Sequence, residues 1–169
     1  MMYQVGDWIY YGNVGACQVT DVAVRKIAGM EQEHLYYTLR PLDDDCSIST
    51  PADTGKIFMR PIISKDEAEA LIETIPSISA DAYYNPVKQL SDHYEQTLNS
   101  HDCGALIKMT MSIYTKKKEV ALQKRKLGAV DEKFMRRAED LLFGELAVAL
   151  GIKRSQVPPY IAAKVEKEE

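Results

Sequence analysis

Apolar residues recur along this chain with two different periods, and the change falls near residue 63. Before it, short runs of β-branched and aromatic residues alternate with turn residues. Val5-Gly6-Asp7 is a turn, Trp8 to Tyr11 a strand, and Gly12, Asn13 and Gly15 a second turn. Ala16 to Thr20 follows as a strand, which continues past a polar break as far as Arg25. Glu33 to Arg40, Cys46 to Thr50 and Lys56 to Ile63 complete a set of five short strands, with an acidic turn at Pro41 to Asp45.

From Ser64 the period becomes that of a helix. Ser64-Lys-Asp-Glu67 fits a capping box, and Ala68, Leu71, Ile72 and Ile75 share one face before Pro76. Asn85-Pro86 opens a second helix through Val87, Leu90, Tyr94 and Leu98. Asp102 caps a third, with Leu106, Ile107, Met109, Met111, Ile113 and Tyr114 as core, which Gly128 is expected to stop. Asp131 starts a fourth that ends at Gly151, and Ser155 caps a short fifth before a charged tail from Lys164 to Glu169. The prediction is an α+β protein: a small Tudor- or SH3-like β-barrel over residues 1–63, then an α-helical bundle over 64–169.

Composition narrows the function classes. With 46% hydrophobic and 27% charged residues the chain reads as a globular protein. It has no run long enough to span a bilayer and no basic-then-apolar leader, so a cytoplasmic location away from membranes is expected. Cys17, Cys46 and Cys103 are odd in number and widely separated, which argues against a disulfide framework. Their spacing to His34, His93 and His101 matches no metal motif, so neither metal nor cofactor is expected. Gly12-Asn-Val-Gly15 has no helix after it and cannot act as a phosphate loop, and no nucleophile elbow is present; an enzyme is not expected.

Charge is unevenly placed. Residues 1–63 hold five basic and eight acidic residues, a balance of −3 that suits a protein partner better than nucleic acid. From Lys116 to Arg137 nine basic residues face three acids, a local +6 in a chain of net charge −4. One reading is a solvated helix face; the other is a patch that contacts DNA phosphates without reading sequence.

Tyr3, Gly6-Asp7, Ile9 and Tyr11, followed by Gly15, resemble the opening of the CarD/CdnL family of bacterial transcription regulators. Ile27-x-Gly29, Tyr36-Tyr37-x-Leu39, Pro51 and Arg60-Pro61-Ile62 continue the likeness, and Leu127 to Ala147 is similar to the family's closing helical signature. The resemblance covers roughly residues 1–150. It implies an N-terminal Tudor-like module that docks on the RNA polymerase β subunit, with Arg25, Ile27, Ile48 and Ser49 on the docking surface. It further implies a helical domain that contacts promoter DNA upstream of the bubble and stabilises the open complex. The basic residues expected at DNA are Lys88, Lys117, Lys124, Arg125, Lys133, Arg136 and Arg137. The family's minor-groove Trp has no counterpart in the helical domain. Its position falls near Val87, with Tyr84 as the aromatic residue that would replace it. A monomer that joins polymerase to DNA is the expected assembly; the alternative is a polymerase-binding adaptor with no DNA contact.

Overall fold

The computed structural model describes residues 3–12, 14–25, 33–42, 44–52, 57–77 and 86–166. Ile27 and Tyr84 lie outside these residues, and for Arg25 and Val87 only the backbone is described. The chain divides into two compact units, residues 1–63 and 64–169.

The first unit is an antiparallel sheet of β1 (Trp8–Tyr11), β2 (Gly15–Arg25), β3 (His34–Pro41), β4 (Ile48–Pro51) and β5 (Met59–Pro61), in the order β4-β3-β2-β1-β5. The pattern predicts a barrel, but among the described residues no ladder joins β4 to β5, and the sheet is open. Pro51 and Pro61 end the two edge strands, and neither has an N–H to carry pairing further.

One face of the sheet holds the core: Ile9, Tyr11, Cys17, Val19, Tyr37 and Leu39, with Val22, Ile48 and Met59 packed against it. Strict alternation would put Val19 and Asp21 on the same face. The ladder instead shifts by one residue between them, so that Val19 pairs with Leu39 and Asp21 with Thr38. This bulge returns Val22, opposite Tyr37, to the core side and keeps Asp21 exposed. The hydroxyl of Thr20, the extra residue, donates to the Thr38 carbonyl at 3.2 Å. What reads in the sequence as a polar break is thus the middle of one 11-residue strand.

Gly6 and Asp7 close the sheet's end. Gly6 adopts a left-handed φ of 96° and donates its N–H to the Val19 carbonyl at 2.8 Å. The Asp7 carboxylate accepts from the Gln4 N–H at 2.8 Å, which fixes the turn from its other side.

The second unit contains α1 (Lys65–Thr74), α2 (Val87–Asn99), α3 (Cys103–Leu122), α4 (Ala129–Leu150) and α5 (Val157–Glu166). Ser64 caps α1 by accepting the Glu67 N–H at 3.1 Å, while its hydroxyl donates to the Glu67 carboxylate at 3.2 Å. Asp102 caps α3 through the Gly104 N–H at 3.0 Å.

Two ends differ from the sequence reading. α3 stops at Leu122, not at Gly128: Lys124 takes a left-handed φ of 59°, and the Arg125 N–H bonds the Val120 carbonyl at 2.8 Å. Gly128 instead precedes the first turn of α4. The charged tail expected from Lys164 is helical in α5 as far as Glu166. Leu106, Ile113, Phe134, Ala138, Leu142, Leu146 and Val157 form the bundle's interior. Tyr114, expected there, is 44% exposed.

Candidate functional site

Two surfaces carry the residues singled out by the sequence. The first is the β4 edge. Ile48 to Pro51 pair with Leu39 to Tyr36 of β3, and no second ladder lies on the outer side among the described residues. A strand in that position presents unpaired backbone donors and acceptors to another chain. Ser49 is exposed there, whereas Ile48 is half-buried and its side chain packs on the sheet core. Ile48 therefore offers an incoming chain mainly its backbone. Arg25 lies at the far end of β2, where its backbone pairs with His34.

Cys17 is fully buried, and burial, with a smaller effect of Cys46, pushes its thiol up to about 12; it stays protonated and unreactive at neutral pH. Arg40 pairs with Asp45 at 2.9 Å, but the side chains are 57% and 99% exposed, so the pair adds little stability. Among the described residues no group of three or more His, Cys, Asp or Glu is arranged to hold a metal ion.

The second surface is the basic segment. Lys117, Lys124, Arg125, Lys133 and Arg136 are exposed, as are Lys118, Lys126 and, on α2, Lys88. They do not share one face. Arg137 turns toward α2, with a guanidinium nitrogen 3.6 Å from the Glu95 carboxylate, and it lies with Lys133 over the Phe134 ring. Lys117 acts electrostatically on Glu139, two residues past Arg137 and so on the opposite side of α4. Lys124, Arg125 and Lys126 occupy the turn between α3 and α4, held by the left-handed Lys124. The charges form a collar around one end of α4.

Lys116 is not part of that collar. It is buried, and its ammonium lies 2.7 Å from the Asp131 carboxylate, whose other oxygen accepts the Tyr94 hydroxyl at 2.6 Å. Removing Lys116 and Asp131 together leaves eight basic and two acidic residues in the window, still +6. Sequence spacing gives no sign of this three-helix contact, because its members are far apart in the chain. Also unforeseen is Leu122, 87% exposed beside the basic turn.

The first unit is thus an open antiparallel sheet with β4 at its edge, and the second is helical with a basic collar. The comparison with known families concerns the first unit. Residues 3–63 match the model of the CarD-like/TRCF RID domain, and the sheet unit is a domain of that family. Such domains interact with the RNA polymerase β subunit and belong to a non-enzymatic, polymerase-interacting family. The match stops before α1. Among the described residues no helix is long and apolar enough to cross a membrane.

Proposed function

We propose that this chain is a non-enzymatic transcription regulator whose first unit docks on the RNA polymerase β subunit. Its helical unit contacts promoter DNA upstream of the bubble and stabilises the open complex. The match over residues 3–63 carries the polymerase half of this reading. The outer edge of β4, with Ser49 exposed, supplies a surface on which a polymerase strand can add to the sheet, and Arg25 and Ile27 are the further contacts.

The DNA half is supported by the exposed cations of the collar, with Lys88 as an outlying contact. They suit phosphate contact rather than base readout, because they are spread around α4 and follow no groove-reading face. Phosphate affinity alone is modest. Docking on polymerase raises the local concentration of the helical unit at the promoter, so a weak DNA contact suffices. Tyr84 or Val87 takes the place of the aromatic wedge.

Two measurements test this. In pull-down of the polymerase β lobe, wild type is captured and Arg25→Glu is not; equal capture would refute the docking surface. On forked promoter DNA with polymerase, the protein extends the footprint upstream. An unchanged footprint would favour the second reading, an adaptor whose helical unit binds protein, which Lys116 and Arg137 support by being engaged with acids of their own unit.

A further inference from the structure

The helical unit contains a surface groove of about 460 Å³ between α3, α4 and α5. Its walls come from Met111 and Tyr114 of α3, Met135 and Phe143 of α4, Pro158 and Ile161 of α5, and Ile75 just past α1. The space is open to solvent along one side, where Tyr114 and Ala162 are exposed. It falls within the roughly 300–1,000 Å³ of small-molecule pockets, and two of its walls are methionines, which re-pack around differently shaped guests.

Polar groups on the walls are few. The Thr110 hydroxyl is committed to the Leu106 carbonyl at 2.8 Å. The Tyr114 ring carries the Lys118 ammonium 4.5 Å from its centre. Of the described wall residues, Glu139 is the one with a formal charge. Burial first, and then Asp140, raise its carboxyl above the usual range, while Lys117 and Arg154 pull it back. Arg154 is itself held by Asp140. A half-desolvated carboxylate on an apolar wall lacks the hydration it would have in water, and a charged donor brought in by a guest restores it.

We propose that this groove binds a small, largely apolar molecule bearing one amine, its body among the methionine and aromatic walls and its ammonium on Glu139. The site adjoins the collar, because Lys117 acts electrostatically on Glu139 and Lys118 lies over Tyr114. None of its wall residues belongs to the exposed collar.

Calorimetric titration of the full chain with octylamine, octanol and octanoate tests the site, with one apolar tail on three head groups. Octylamine binds most tightly, octanol more weakly and octanoate least. Glu139→Gln weakens octylamine about tenfold, the expected effect of removing a charge-assisted hydrogen bond at a partly exposed site, and leaves octanol unchanged. Glu132→Gln, which removes an exposed acid outside the groove, changes neither. Ala162→Trp, which fills the groove from α5, removes binding of both; circular dichroism confirms that it folds. The proposal is overturned if octanoate binds as tightly as octylamine or if wild type binds none of the three. It is equally overturned if Glu132→Gln weakens octylamine as much as Glu139→Gln does.

Discussion

The ammonium of Lys116 lies 2.7 Å from the carboxylate of Asp131, with both side chains almost completely buried. With Tyr94 bonded to the same carboxylate, the contact ties α2, α3 and α4 together just past Gly128, where the basic turn ends. Asp131 also sits in the first turn of α4, where the helix dipole favours a negative charge. Removing one member of a buried pair leaves the other desolvated and uncompensated. Lys116→Met is expected to lower stability to urea by about 3–5 kcal/mol. Lys116→Met with Asp131→Leu should recover a large part of that loss. A single variant as stable as wild type would show that the pair is not buried in solution.

Charge reversal separates the two halves of the proposed function. Lys124→Glu with Arg125→Glu and Arg137→Glu should weaken binding to forked promoter DNA steeply at low salt. The salt dependence should become shallower by about 0.9 in log–log slope for each phosphate that is no longer neutralised. Capture of the polymerase β lobe should be unchanged. Binding that ignores salt, or a triple variant with wild-type affinity, would remove the collar from the DNA contact.

Gly12 carries two constraints at once. Its φ is 39°, and a Cβ added there would meet the Ile57 side chain at 2.8 Å. Its N–H also donates to the Phe58 carbonyl at 2.7 Å, so the backbone cannot move aside without breaking that bond. Gly12→Ala should cost about 2–3 kcal/mol, strain and clash together. Gly6→Ala meets nothing within 4 Å and should cost about 1 kcal/mol from backbone conformation alone. Equal losses in urea titrations would mean that the Ile57 contact adds nothing.

The Cys17 thiol gives the sheet unit a pH signature. Its ordinary value of 9.0 rises to about 12 in the fold. Between those values the unfolded chain has released the proton and the folded chain has kept it. The unfolded state then binds fewer protons, and stability falls as pH climbs from about 9 toward 12, with no contribution below 9. Cys17→Val should flatten this slope above about pH 9. With a thiol reagent at neutral pH, exposed Cys46 should react first, while buried Cys17 and Cys103 wait for unfolding.

The elements were legible in the sequence where local chemistry alone decides them. The Ser64–Glu67 capping box, the Asp102 cap and the Gly6-Asp7 turn each need only neighbours in the chain. The sequence is less legible where backbone geometry or residues distant in the chain decide. α3 can end at Leu122 because hydrogen bonds to Val120 and Ala121 compensate the left-handed Lys124 that follows, a cost that no composition rule anticipates. Met111, Met135 and Leu142 fall on apolar faces, as a core requires, but periodicity cannot distinguish a packed interior from the wall of a groove. Lys116 looked like one lysine among nine in a basic run, and only its contact with Asp131 removes it.

The bulge at Thr20 decides how this sheet tolerates changes in chain length. Deleting Thr20 would restore unbroken alternation from Cys17 through Val19 to Val22, so every inward residue would remain inward and only the strand's bend would be lost. Removing Gln18 instead would shift Val19 to the outer face while Cys17 stayed inward. Between Cys17 and Val22, Thr20 is thus the residue this strand can lose without turning inside out.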